Sequence, residues 1–235
     1  MKNIFYLYQF EFPDGHKKSF NVDFDQQSLR SSIVEGADYP DWTQLEYKQC
    51  FNCDLTSDDY IYCPLAINLV PIINWCQDLA SYNEVSVSVA SAERTVHAET
   101  TLQQSVSSLL GLIMSSSDCP KMKFLRPLAR FHLPFATHEE TIFRAVSATF
   151  LKNYFDQKDN KNGEDALIKL KQQYSELQNV NRFIAERIRS ATKRDAAVNA
   201  IVLLDILSKK VSFSIDASLE QIRYLFESTV SEDVA

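Results

Sequence analysis

Cys50-Phe-Asn-Cys53, followed ten residues on by Cys63-Pro64, is the most chemically specific pattern in the chain. A Cys-x-x-Cys knuckle sets two thiolates on one tight turn, and a third thiol close by completes the spacing of a thiolate metal site. Zinc takes four tetrahedral ligands. Cys119-Pro120, in the polar stretch Ser115-Ser-Ser-Asp118, is the best fourth ligand, with His97, His132 and His16 weaker choices. An all-thiolate set also suits an iron–sulfur cluster, so zinc is the first expectation and a cluster the second. Free cysteines also serve as small buried hydrophobes, and Cys76 beside Trp75 fits that role. A redox dithiol is disfavoured because Asp54, Asp58 and Asp59 follow the knuckle and oppose thiolate formation.

A second dense patch runs through Arg126-Pro127-Leu-Ala-Arg130-Phe-His132-Leu-Pro134-Phe135. If the piece between the prolines is extended, Arg130 and His132 share one side and the apolar residues the other. Glu139, Glu140 and Arg144 follow at once. Such a cluster can take a carboxylate or phosphate on its arginines, with His132 exchanging a proton. The competing and favoured expectation is structural: Arg130 and Arg144 pair with Glu139 and Glu140 to satisfy a half-buried connection between helices.

These residues need elements to position them. The chain has 235 residues with 45% hydrophobic and 11% aromatic content, enough for one sizeable core or two smaller ones in contact. Four glycines leave no room for a glycine-rich phosphate cradle, and a net charge of -7 argues against nucleic acid as partner. No apolar run reaches the length of a membrane span, and no signal-peptide core follows Met1, so a cytoplasmic protein with reduced thiols is expected.

Alternation through Tyr6, Tyr8, Phe10 and Phe12, a turn at Pro13-Asp14-Gly15, and resumption at Phe20, Val22 and Phe24 predict a β-hairpin. Val85, Val87 and Val89, then Arg94 to Glu99, predict a second pair of strands. Between the pairs lie the cysteines and an apolar helix from Leu65 to Tyr82, bent or restarted at Pro71. From Thr100 the period becomes helical, with Thr-x-x-Glu/Gln capping boxes at Thr101–Gln104 and Thr137–Glu140. A loop is expected over Asp156 to Asp165, a long helix over Leu167 to Ile188, and two further helices over Asp195 to Lys209 and Asp216 to Val230, ahead of a frayed acidic tail. Asp195 and Asn199 fit a helix start better than a site.

The fold class is therefore α+β: a small antiparallel sheet of about four strands with a cysteine-bearing insertion, followed by a bundle of about five helices. Residues 1–99 form the β-rich region with one helix and residues 100–235 the helical region, packed as one unit.

Cys50-Phe-Asn-Cys53, Cys63-Pro-Leu-Ala66, Cys119-Pro120 and Ala129-Arg-Phe-His-Leu-Pro-Phe135 together resemble the landmarks of a bacterial family of unknown function, over most of the chain. The resemblance implies a bacterial cytoplasmic protein and joint use of the cysteines and the histidine segment at one site. It implies no activity.

Three functions fit. The first is a non-catalytic binding or regulatory protein with structural zinc and a partner or dimer surface on its helices. The second is a metalloenzyme in which Cys50, Cys53 and Cys63 hold the metal while His132, Glu139 or Glu140 moves protons. The third is an assembly protein that self-associates through the Leu167–Ile188 helix.

Overall fold

A computed structural model describes residues 4–31, 39–161 and 165–227. Gly163, the end of the expected last helix and the acidic tail fall outside these residues. The first hairpin is β1 (Ile4–Glu11) and β2 (Lys17–Phe24), and the second is β3 (Glu84–Ala90) and β4 (Thr95–Thr101). Gly15 sits at φ 83°, the left-handed conformation the tight turn requires. The sheet order is β2-β1-β3-β4, antiparallel throughout.

Register explains why one face is dry. Tyr8 pairs with Phe20 and Val89, and Phe10 pairs with Val87, so the alternating apolar residues of three strands fall on the same side. The opposite side carries Gln9, Glu11, Ser86 and Ser88. Among the described residues six α-helices follow the strands or interrupt them: α1 (Ala66–Cys76), α2 (Leu102–Ser116), α3 (Arg126–Arg130), α4 (His138–Lys158), α5 (Ala166–Ala191) and α6 (Ala196–Gln221). Five of the six come after the sheet.

Helix α2 is the axle of the molecule. It touches β3 and β4 on one side and α6 on the other, and Leu102, Val106, Leu109, Leu110 and Leu112 are all buried. Each such side chain contributes about 1.5–3 kcal/mol when fully removed from water. One buried cluster runs from Tyr6 in β1 to Ile222 beyond α6.

Several boundaries differ from the sequence expectation, each for a physical reason. The expected break between Lys209 and Asp216 is absent: no Gly or Pro lies there, and Val211 and Ile215 continue the buried stripe of Ile201, Ser208, Ser218 and Ile222. Helix α4 likewise carries on to Lys158 before its loop. Helix α1 tolerates Pro71 on its exposed side and ends at Cys76. The Thr137–Glu140 capping box forms in full, but the Thr101–Gln104 box does not. At α2 the first amides are already taken, Leu102 N donating to Asn83 O at 2.7 Å and Gln103 N to Ser81 O at 3.0 Å.

Asp195 is structural, as its position suggests. It accepts from Ser81 N and Ser81 Oγ, both at 3.0 Å, and from Asn199 Nδ2, tying the start of α6 to the turn before β3. The α5 stripe of Leu170, Tyr174, Leu177, Ile184 and Ile188 is buried, and α6 is the main neighbour of α5. That stripe is therefore used inside the chain and is not free to pair with a second copy.

Candidate functional site

Thr43 and Cys63 are joined by a backbone bond, Cys63 N to Thr43 O at 2.8 Å, and Leu45 N bonds Ile61 O at 2.9 Å. This short strip holds Cys63 beside the Cys50 knuckle, which closes with Cys53 N donating to Cys50 O at 3.0 Å. From the helical half, Cys119 begins a similar turn, with Met122 N donating to Cys119 O at 3.0 Å. Lys121 fastens the two halves, its Nζ lying 3.0 Å from Asp54 Oδ2 and 3.2 Å from Glu176 Oε2.

The result brings Cys50, Cys53 and Cys63, singled out by spacing, within electrostatic range of Cys119, singled out by its Cys-Pro context. Cys50 is within electrostatic range of Cys63, Cys119 and Cys53. Burial, and then those neighbours, pushes its thiol up to about 12. Burial and then Cys63 likewise push Cys119 to about 12, opposed by the backbone amides of Lys121 and Met122 directed at its sulfur. Such thiols are protonated at neutral pH, the reverse of a reactive redox dithiol. All the cysteines are unbridged. Among the described residues no three His, Cys, Asp or Glu side chains are drawn close enough to hold an ion as they stand. The donors have gathered, but their sulfurs have not closed into a tetrahedron.

Arg187 is the residue the sequence reading passed over. Only 1% exposed, it donates from Nη1 to Trp42 O at 2.8 Å and Gln44 O at 2.7 Å, and from Nη2 to Leu45 O at 2.8 Å. Its Nε is buried with no partner among the described residues, and no carboxylate pairs with it there. The groups that favour its charge against burial are Cys63, Cys50 and Cys53, in that order. A cation at a slot of the α5 apolar stripe, three residues after Ile184, was the available signal.

The Arg-His segment lies elsewhere and is not extended. Arg126–Arg130 is the short helix α3, followed by a turn in which His132 N donates to Ala129 O and Phe135 sits at φ 59°. Pro127 at the start of a helix supports this geometry, which the extended reading overlooked. The expected ion pairs do not form. Arg144 donates to Leu128 O at 3.0 Å and Phe131 O at 2.6 Å, and Glu140 is occupied by the Thr137 amide at 2.7 Å. Arg130 lies 4.0 Å from Glu93 and over the Phe131 ring, and Glu139 is exposed at the start of α4.

His132 points back to the sheet, its Nε2 2.5 Å from Tyr8 Oη, which in turn is 2.8 Å from Ser108 Oγ. Burial, and then Arg144, lowers its imidazole to about 3, so the ring is neutral. The residue is half-buried and borders a cavity of about 600 Å³ between α2, α4, α5 and α6. Arg144 and Tyr174 line the same cavity, and no cysteine does. His97 is on the outer face of β4 opposite Ser88, and His16 is exposed at the hairpin turn. The structure thus separates the cysteines from His132 rather than joining them at one site.

Residues 6–227 match the family described as Domain of unknown function (DUF6901). The chain belongs to this family. DUF6901 thus spans both the sheet with its cysteine insertion and the helices. No curated protein and no solved structure matches the chain. No helix among the described residues is long and apolar enough to cross a membrane.

Proposed function

We propose that this protein is a non-catalytic binding protein whose Cys50, Cys53, Cys63 and Cys119 hold a structural metal ion, zinc in preference to an iron–sulfur cluster. The supporting observation is that four half-buried thiols from three separate chain segments lie within electrostatic range of one another. The surroundings fit anionic sulfur. Arg187 brings a buried positive charge without a carboxylate, with a free Nε, and the amides of Lys121 and Met122 face Cys119. Outer partners of this kind orient and neutralise a thiolate set. Zinc bound there supplies a tetrahedral cross-link between the β-rich and helical regions. Closing the site requires the thiols to lose their protons and the sulfurs to draw together.

A catalytic reading gains nothing from the geometry. His132 is too weak a base when held neutral by burial, and it borders the cavity, where no cysteine stands.

Elemental analysis of protein purified without added metal tests the proposal. One zinc per chain is expected, lost in Cys53→Ser together with a fall in melting temperature. Metal-free wild type whose stability does not respond to added zinc overturns it.

A further inference from the structure

The 600 Å³ cavity is of the size that encloses a small organic ligand, and its walls mix seven leucines and two methionines with polar side chains. Gly111 helps to open it. A Cβ at that position would stand 3.4 Å from Leu204 Cδ2, so a longer side chain there would crowd a residue that also lines the cavity.

Among the polar side chains that line the cavity, Arg144, Tyr174 and His132 stand within electrostatic range of one another through Arg144. Arg144 bonds two carbonyls through Nη2, and among the described residues no carboxylate forms an ion pair with it. Tyr174 is 4% exposed and stands at the cavity wall. His132 uses Nε2 for Tyr8 and borders the same cavity. A half-buried guanidinium facing this space lacks the anion that such a charge requires.

We infer that the cavity binds an organic carboxylate with a flexible apolar body, its head group received by Arg144 and hydrogen-bonded by Tyr174 and His132. One cation flanked by two neutral groups matches a single negative charge. A phosphate dianion is the poorer match, because Glu99 at the cavity adds negative charge. The inference rests on reading the protein as a binding protein but not on the metal, since no cysteine lines the cavity.

Calorimetric titration of the full chain with decanoate and with decanol at pH 7.5 tests it. Decanoate should bind once per chain, and decanol more weakly by about tenfold or more, the weight of one charge-assisted hydrogen bond. Arg144→Gln should remove that preference while leaving decanol binding in place. Gly111→Leu, favourable to the helix but crowding Leu204 at the cavity wall, should abolish both. Absence of saturable binding, equal affinity for the two probes, or unchanged binding in Gly111→Leu overturns the inference. The comparison of probes on wild type decides even where a variant folds poorly, and its failure is read separately from the zinc content.

Discussion

Arg187 Nη1 lies 2.8 Å from the carbonyl oxygen of Trp42, joining a helix of the C-terminal half to the loop that leads into the cysteines. With Gln44 and Leu45 it hydrogen-bonds three backbone carbonyls from one buried guanidinium, of which the Gln44 carbonyl also accepts from Tyr47 N at 3.2 Å. Carbonyls inside a fold cost about 1–3 kcal/mol each when left unpaired. Arg187→Met should therefore lower the unfolding free energy by about 3 kcal/mol or more. Denaturant titration at unchanged slope measures this, and a loss under about 1 kcal/mol would show that water takes over the carbonyls.

Cysteine substitutions should separate by location. Cys119→Ser removes one donor of the gathered set and should lower metal content and melting temperature together. Cys76 is wholly buried inside α1, its Sγ 4.0 Å from Ile73 O, and is away from that set. Cys76→Ser should cost about 1–3 kcal/mol for burying a hydroxyl while leaving metal content unchanged. Elemental analysis beside thermal melts checks both, and equal metal loss in the two variants would contradict the assignment.

Stability should fall in acid through His132. Its folded-state imidazole is lowered from the usual 6.5 to about 3 by burial and then by Arg144. In that window the unfolded chain binds a proton that the folded chain refuses. The contribution is fully present above pH 6.5 and is lost as pH drops toward 3. The slope from this group approaches about 1.4 kcal/mol per pH unit. Unfolding free energies measured between pH 7 and 4.5 should show this slope in wild type and a flatter curve in His132→Gln. Parallel curves would rule out the neutral buried ring.

The sheet was legible because its pattern is strictly local: Tyr6, Tyr8 and Phe10 alternate with polar neighbours, and Gly15 marks the turn. Cys50, Cys53 and Cys63 were picked out by spacing and Cys119 by its Cys-Pro context in a polar stretch, while their electrostatic proximity depends on the fold. What escaped depends on distant partners. Arg187 looks like an ordinary helical arginine until the carbonyls of residues 42–45 are beside it. The pairing of Arg144 with Glu140 was equally reasonable from spacing, but the capping amide of Thr137 is a competing partner fixed by the helix start. The cavity was not legible at all, because empty space depends on how four helices meet.

The two threonines at helix starts offer a contrast that composition does not. Thr137 Oγ accepts from Glu140 N at 3.2 Å while Glu140 Oε2 accepts from Thr137 N at 2.7 Å, so both orphan amides are satisfied by side chains. Thr137→Ala should cost about 1 kcal/mol. Thr101 occupies the same place before α2, but its Oγ1 is buried without a partner, since Asn83 and Ser81 carbonyls already take the first amides. Thr101→Val keeps the shape and removes the unpaired hydroxyl, so it should leave stability unchanged or raise it by up to about 1 kcal/mol. Melting curves of the two variants decide the matter. A loss in Thr101→Val equal to that in Thr137→Ala would mean that α2 uses its threonine as a cap in solution.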